Sequence, residues 1–414
     1  MALFKPWVHG ADGMGYYSWL RSVVLDGDLN TANEYEHFGY GWIAGTTATG
    51  YKDNPWAIGS AILWSPLFVI AHAIIRGDGY GPGYFTAISL ASMIYAFVGL
   101  ILLYRLVKDF FGSQSALLAT VVTWFASPLV FYMYMHPSMA HANDAFVNAL
   151  FVYTWHRTRP RRTTDKWLVL GVTVGLAALV RTQNLLLAIV PLLELAAGLI
   201  RNRKDRLVPV AGGLAFGIGL LIAFLPQMYV WHRVYGSWIV LNPYWTSTGN
   251  TWNPASPHFF DVLFSTNHGL FVWTPVLLAG VVGLLFLAQR DRGLAFLLAA
   301  GFTLQVYVVG GWSAWAGGAA FGQRFLVNNT PTYLLGMAAL VDWLRRRVSL
   351  KVLWGIGAIA IFWNLGLIAQ YVTGMIPREA PVSPATIAWN QLHLPAVLAS
   401  RLGDLLSQRF GVWR

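Results

Sequence analysis

Acidic side chains are few in this sequence, and two of them lie where a carboxylate could act on a substrate. Asp12 stands among glycines in residues 9–15, and glycine lets a ligand approach the backbone closely. A carboxylate in such a place can act as a general base that takes a proton from an attacking hydroxyl or amine. A lone aspartate in a glycine-rich loop is also a common turn residue. We take Asp12 as the first catalytic candidate, in a polar loop.

The second acidic candidate follows two histidines in the polar connection at residues 136–144. His141 and Asp144 are three residues apart and share one face of the helix that this connection enters. An ionisable residue inside an apolar segment is costly and is usually paired or functional. Asp144 is therefore the rival base, and His141 a candidate contact to substrate. With His136 they could also ligate a metal, although the spacing matches no recognised motif; the sequence requires no cofactor and leaves a divalent metal open.

Two cations interrupt or border apolar segments and could bind a phosphate. Lys52 lies where a polar loop enters an apolar stretch, at the depth of lipid headgroups, although a lysine there can also be a simple interfacial anchor. Arg181 separates two short apolar runs, a pattern typical of broken helices that line a cavity. Glu194, in the second run, is a candidate counter-ion for Arg181.

A third cation and several aromatic residues suit a charged ligand that carries a sugar. Arg324 follows a glycine-rich stretch that contains Trp312 and Trp315, and indole rings stack on sugar rings. Tyr16 opens a segment, residues 16–26, in which apolar residues recur at helical spacing. We predict an amphipathic helix there, with Arg21 off its apolar face. Tyr16, Trp312 and Trp315 are candidate contacts to sugar or acceptor.

The composition indicates that these residues belong to a membrane protein. The chain has 414 residues, of which 56% are hydrophobic and only 11% charged, which is not the composition of a soluble protein. The net charge of +11 comes from short basic clusters between apolar runs, as the positive-inside rule produces, so no nucleic-acid partner is expected. With no cysteine, disulfides and thiolate chemistry are excluded. The sequence predicts an all-α integral membrane protein.

The apolar segments number about ten at some 20 residues per span. They are residues 83–107, 114–134, 139–156, 167–181, 183–200, 207–230, 268–288, 293–311, 326–344 and 351–372. If residues 56–75 lie flat in the interface as a juxtamembrane helix, all the basic loops share one side, which is the cytoplasm. Every candidate residue then faces the opposite, outer side.

This topology divides the chain into three parts. Residues 1–82 form an outer-face region with two juxtamembrane helices, residues 83–372 a transmembrane bundle, and residues 373–414 an outer-face tail with a short amphipathic helix near 395–410. Both termini are expected outside. No internal repeat of fixed period occurs.

The order of these features resembles the GT-C superfamily of membrane glycosyltransferases, which includes the protein O-mannosyltransferases and the transferase that adds aminoarabinose to lipid A. The resemblance covers most of the chain. It rests on the acidic region with Asp12, the helix at residues 16–26, the Lys52/Pro55 entry into a second juxtamembrane helix, and the segments 103–112, 175–182, 269–275 and 321–326. A first transmembrane helix precedes the acidic loop in such enzymes; here only residues 1–10 do, and the family's paired acids are reduced to Asp12.

The resemblance implies transfer of a sugar from a polyprenyl-phosphate carrier to a glycan, lipid or protein acceptor, with inversion at the anomeric carbon. Asp12 or Asp144 would be the base, and Lys52, Arg181 and Arg324 would bind the donor phosphate. The protein would lie in the cytoplasmic (inner) membrane with its active site outside. Two other classes stay open: a transporter or flippase for lipid-linked sugars, and a non-catalytic scaffold subunit.

Overall fold

A computed structural model describes residues 4–43, 45–201, 207–240 and 249–400. In these ranges the regular structure is helical, apart from two isolated β-bridges, Thr46–Lys52 and Trp252–Trp312. The all-α prediction is confirmed. Within these described ranges, five helices are long and apolar enough to cross a membrane by length and composition. The count of about ten spans stays a prediction.

The α-helices, numbered in chain order, are α1 Gly10–Arg21, α2 Ala32–His37, α3 Gly59–Ile75, α4 Pro82–Phe125, α5 Leu129–Tyr134, α6 His141–Thr158, α7 Thr164–Val180, α8 Ile189–Arg201, α9 Leu207–Tyr235, α10 Phe259–Phe264, α11 Leu270–Trp273, α12 Val276–Leu287, α13 Arg292–Gly310, α14 Thr330–Leu344, α15 Leu350–Val372 and α16 Pro384–Ser400. A π-helical turn, Ser22–Asp26, continues α1. Two 3₁₀ segments, Thr182–Ala188 and Arg324–Asn329, lead into α8 and α14.

The first helix begins earlier than predicted. Asp12 lies in the first turn of α1 and not in a loop. The glycines that indicated a loop serve close packing: a Cβ on Gly13 would lie 2.6 Å from the Ser138 Oγ. Arg21 is buried at 8% exposure, not on a polar face, because its guanidinium pairs with Glu34 of α2 at 2.7 Å and with Asp26 at 2.6 Å. Sequence pattern did not show that the loops of this region fold back over α1.

Two predicted spans are joined differently in the structure. α4 runs for 44 residues through a kink at Gly112, whose φ is 76°, so residues 83–107 and the first part of 114–134 form one kinked element. That element ends at Phe125, and a separate short helix, α5, follows Pro128. Proline disfavours helical geometry in the residue before it, which accounts for the break. The segment predicted at 268–288 is likewise divided, whereas those at 183–200 and 326–344 begin as 3₁₀ segments that pass directly into α8 and α14.

Two helices that frame the site approach at backbone distance. A Cβ on Gly171 of α7 would lie 2.0 Å from the Phe216 carbonyl oxygen, and one on Gly219 of α9 would lie 2.2 Å from the Leu168 carbonyl oxygen. Small residues permit such close packing of apolar helices. α7 ends just before Arg181, so the wall formed by α9 is held at a fixed distance from that arginine.

The end regions agree with the predictions in part. α3 is apolar, contains Pro66 and is 17 residues long, shorter than a usual span; its position flat in the interface stays a prediction. In the tail the helix is α16, which begins at Pro384 rather than near residue 395. The remainder of the predicted helix, residues 401–410, lies outside the described residues.

Candidate active site

A cavity of about 550 Å³ lies between α1, the end of α7, α9, α13 and the second 3₁₀ segment. Its charged end is formed by Asp12, Arg181 and Arg324, with Tyr16 and Trp312 beside them. Asp12 and Tyr16 are four residues apart, which places both on one face of α1. These five residues were predicted to meet at one site, and the structure brings them together.

Asp12 has two partners at the charged end. One carboxylate oxygen, Oδ2, accepts a hydrogen bond from Arg324 Nη1 at 2.5 Å, and the other, Oδ1, accepts one from Trp56 Nε1 at 3.1 Å. The indole reaches Asp12 because residue 15 is glycine: a Cβ there would lie 2.2 Å from the Trp56 ring. The carboxylate is thus fixed in orientation and still 19% exposed toward the cavity.

The two arginines meet the same aromatic ring. The guanidinium carbon of Arg324 lies 4.9 Å from the Phe325 ring centroid, and that of Arg181 lies 5.2 Å from it. A cation over an aromatic ring is attracted to its electron-rich face, so Phe325 keeps two positive groups near each other that would otherwise repel. Their side chains are 11% and 12% exposed, at the edge of the cavity where an anion can reach them.

Asp144 lies behind this layer and does not line the cavity. It is fully buried, and its Oδ2 lies 3.6 Å from Arg181 Nη1. His141 is also buried, with its Nδ1 3.2 Å from the same Arg181 nitrogen. Neither residue occupies the substrate-facing position predicted for it, because the Arg181 side chain stands between them and the cavity. Glu194 is not the counter-ion of Arg181 either: it pairs with Arg162 Nη2 at 2.9 Å.

Lys52 and Trp315 also lie away from the cavity. The Lys52 ammonium donates to the Gly41 carbonyl oxygen at 2.6 Å and lies 5.3 Å from the Tyr35 ring centroid. Trp315 stacks on His258, with ring centroids 5.7 Å apart. Both residues were predicted from the sequence around them. The loops that carry them direct their side chains away from the cavity.

The histidines do not form a metal centre with Asp144. The His136 ring packs against His9, with centroids 3.6 Å apart and planes tilted by 31°, and His141 contacts Arg181. Over the ranges that the structure describes, no group of three or more His, Asp or Glu side chains is placed to hold a metal ion. Burial and the nearby Arg378 lower the pKa of His9 to about 4, which keeps this pair neutral near pH 7.

The cavity wall that α9 contributes is apolar apart from Gln227. α9 contributes a row of large side chains at helical spacing, Leu220, Phe224, Met228 and Trp231. A cavity of 300–1,000 Å³ with apolar walls and a few convergent polar groups is typical of ligand-binding sites. The arrangement suits an amphiphile with an anionic group at one end and an apolar chain at the other.

Sequence reasoning missed Trp56, Phe325 and Asn184, which all shape this site. Trp56 directly follows the Lys52–Pro55 stretch, and an aromatic residue that begins an interfacial helix is a usable signal. Phe325 is adjacent to Arg324 but looks like an ordinary apolar residue. Asn184 follows Arg181 in the first 3₁₀ segment, and a polar residue between two apolar runs is itself a usable signal. Its partners, described below, come from distant parts of the chain.

The fold is a helical membrane fold of the GT-C type. A family model described as "Dolichyl-phosphate-mannose-protein mannosyltransferase" matches residues 82–231. That match covers less than half of the chain, and together with the structural likeness below it supports the predicted resemblance to the GT-C glycosyltransferases. No curated protein sequence matches the chain.

Two solved structures of one protein are similar to the whole chain. They are ArnT from Cupriavidus metallidurans in the apo state, with a TM-score of 0.53 and 16% identity, and the same protein bound to undecaprenyl phosphate, with a TM-score of 0.55 and 14% identity. The alignments cover 98% and 99% of this chain and 72% and 70% of the ArnT chain. At this identity the likeness shows a common fold.

Proposed function

We propose that this protein transfers a sugar from a polyprenyl-phosphate carrier to an acceptor on the outer face of the membrane, with inversion at the anomeric carbon. The observation that carries the proposal is the cavity, which an aspartate and two arginines line together with an apolar row along α9. A lipid-linked sugar phosphate has the matching order of parts: apolar chain, anionic phosphate, sugar. The solved ArnT structure with undecaprenyl phosphate shows that this fold can hold such a carrier.

In the proposed reaction an acceptor hydroxyl or amine attacks the anomeric carbon from the face opposite the phosphate. The bond from that carbon to the phosphate oxygen breaks, and the electron pair leaves with the carrier phosphate. Asp12 takes the proton of the attacking group. Arg181 and Arg324 stabilise the negative charge that grows on the phosphate, and they do so most strongly in a site that excludes water.

The Asp12–Arg324 contact joins the proposed base directly to a residue that would bind the carrier phosphate. In the free protein Arg324 Nη1 occupies Asp12 Oδ2. A phosphate that binds Arg324 competes for those donor groups and leaves the carboxylate freer to accept a proton, while Trp56 keeps its orientation. Tyr16 and Trp312 lie beside this point and are assigned to the sugar or the acceptor. Whether transfer needs a divalent metal ion is tested with EDTA and with added Mg²⁺.

The deciding experiment is transfer by the purified full-length protein from a radiolabelled polyprenyl-phosphate sugar, with Asp12→Asn as the matched inactive control. Donors with different sugars are offered in turn, together with membrane lipid, glycan and peptide acceptors, each with EDTA and with added Mg²⁺. Product that carries the label and is absent with Asp12→Asn supports the proposal. Carrier binding or movement across proteoliposomes with no transfer to any acceptor would indicate a transporter and contradict it.

Two further measurements test the outward orientation of the active site and the inversion at the anomeric carbon. A cysteine at position 253 should react with a membrane-impermeant reagent added to intact cells, and one at position 160 should not; the reverse pattern contradicts an outward active site. Nuclear magnetic resonance of the product from an α-linked donor should show a β linkage if the reaction inverts.

A further inference from the structure

The two cavity arginines are linked through the interior by a chain of buried polar side chains. Arg181 immediately precedes the first 3₁₀ segment, and Arg324 begins the second. Each segment carries an asparagine three or four residues further on, Asn184 in the first and Asn328 in the second. Asn328 Nδ2 donates to Asn184 Oδ1 at 3.2 Å. The two segments are therefore joined side chain to side chain behind the cavity wall.

The chain continues to Asp144. Asn184 Nδ2 donates to Asp144 Oδ1 at 2.6 Å, and Asn148 Nδ2 donates to the same oxygen at 2.9 Å. The other oxygen, Oδ2, faces Arg181 Nη1 at 3.6 Å. One carboxylate thus meets the arginine with one oxygen and the asparagine chain with the other. Asn329 extends the chain, because its Nδ2 donates to Asn328 Oδ1 at 2.8 Å.

The members of this chain are buried, and burial of polar side chains costs free energy of folding. Asp144 and Asn184 are fully buried, and Asn328 is 3% exposed. Buried polar groups lower stability relative to apolar ones unless every partner is in place, and polar residues inside a membrane protein usually mark function. The chain joins the two segments whose arginines face the cavity, and it reaches no other described charged group.

We infer that Asp144 is a positioning residue for Arg181, and that the Asp144–Asn184–Asn328 chain fixes the spacing of Arg181 and Arg324 so that both bind one phosphate group. The inference rests on the proposed function and assigns Asp144 a role other than that of base. The Phe325 ring contacts both guanidinium groups on the cavity side. On the interior side, the hydrogen-bonded asparagine side chains join the two segments that carry the arginines. A phosphate then meets two cations whose separation is already set, which lowers the entropic cost of binding.

The test uses undecaprenyl phosphate as the probe with the purified full-length protein. Asp144→Asn keeps an oxygen for the asparagines and removes only the charge that faces Arg181; we expect about tenfold weaker binding, within the range of measured coupling between contacting residues. Asn328→Ala should weaken binding about threefold. Asn143→Ala is the matched control, since both polar atoms of that buried amide are outside the chain and have no hydrogen-bond partner among the described residues. The affinity of this variant for undecaprenyl phosphate should change by less than about twofold.

A double-mutant cycle separates positioning from general loss of structure. If Asp144 acts through Arg181, Asp144→Asn combined with Arg181→Gln should bind no more weakly than Arg181→Gln alone. Additive losses would overturn the inference, as would normal affinity with lost transfer in Asp144→Asn, which would make Asp144 the base.

Failure of the proposed function has a different signature. Wild-type protein that neither binds undecaprenyl phosphate nor transfers sugar would overturn the proposed function and, with it, the phosphate role of the chain. In parallel, thermal unfolding of the ligand-free protein is measured for Asn184→Ala, Asn328→Ala and their combination. Residues that share a hydrogen bond lose less together than the sum of their separate losses, so additive losses there would show that the chain itself is not formed.

Discussion

Two aspartate–arginine pairs each present their arginine to the same cavity, and they differ in what can reach the aspartate. Asp12 meets Arg324 at 2.5 Å and is 19% exposed, whereas Asp144 lies 3.6 Å from Arg181 and is 1% exposed. From sequence both acids were candidate bases, Asp12 in a polar loop and Asp144 at the entry to an apolar segment. The difference teaches that access rather than residue type separates a base from a positioning residue, since a base must touch the proton that it removes.

The largest effect expected is the loss of transfer in Asp12→Asn. An amide of the same shape cannot take a proton, so the transfer rate should fall by about 10²- to 10⁴-fold. Carrier affinity should change much less, because the base acts chiefly in the transition state. Transfer rates and undecaprenyl phosphate binding are measured on the same preparation. Full activity here, with loss in Asp144→Asn, would reverse the assignment of the two pairs.

Next in size is the effect of Arg324→Ala on the carrier. The change removes a cation from the cavity edge, so binding and transfer should both weaken by about ten- to a thousandfold. Lys52→Ala is the comparison variant, because it removes a cation whose ammonium donates to the Gly41 carbonyl outside the cavity. A smaller loss is expected for Lys52→Ala. An equal loss in the two variants would mean that the carrier headgroup extends beyond this cavity.

A smaller effect is expected for Phe325→Leu, which tests whether the pairs are coupled. The ring contacts the guanidinium groups of both Arg181 and Arg324. Leucine fills similar space but offers no electron-rich face, so phosphate affinity should fall about two- to thirtyfold, the equivalent of about 0.5–2 kcal/mol. Binding is titrated at low and high salt. An unchanged affinity would show that the two arginines are held by the asparagine chain alone.

The smallest effect concerns a third acid–arginine pair, Glu34 with Arg21, which is buried away from the cavity. Desolvation raises the pKa of Glu34 from 4.5 to about 7, although the Arg21 hydrogen bond opposes the rise. Between these values the folded protein holds a proton that the unfolded chain has lost, so the free energy of unfolding falls as pH rises. Thermal unfolding from about pH 5 to about pH 7.5 should show this decline, and Glu34→Gln should flatten it. An identical pH profile in the variant would contradict the raised pKa.

Much of this organisation could be predicted from sequence, because it depends on regular patterns. Apolar length and scarce charge indicate a helical membrane protein, and the order of motifs indicated the superfamily. Arg181 was found because a cation that breaks an apolar run is locally anomalous. Asp12 and Arg324 were found for similar reasons, and they meet although 312 positions separate them in the sequence.

What could not be predicted depends on contacts between distant segments. Burial of Asp144 follows from where Arg181 and Asn184 pack, and the spacing of His141 and Asp144 contains no information about that. Lys52 looked equivalent to the arginines because the sequence gives the side chain's neighbours along the chain but not its direction. The helical start of α1 was hidden for a related reason, since glycines indicate loops unless a close neighbour, here Ser138, requires them.

The packing of Trp56 over Gly15 has a consequence for how such sites are recognised. Position 15 has no side chain and makes no contact with substrate in the proposed reaction, yet any larger residue there would displace the indole that orients Asp12. In a saturation mutagenesis screen scored by activity, position 15 should therefore be as intolerant as position 12, where the proposed base lies. A search for functional positions that considers only reactive side chains would overlook it.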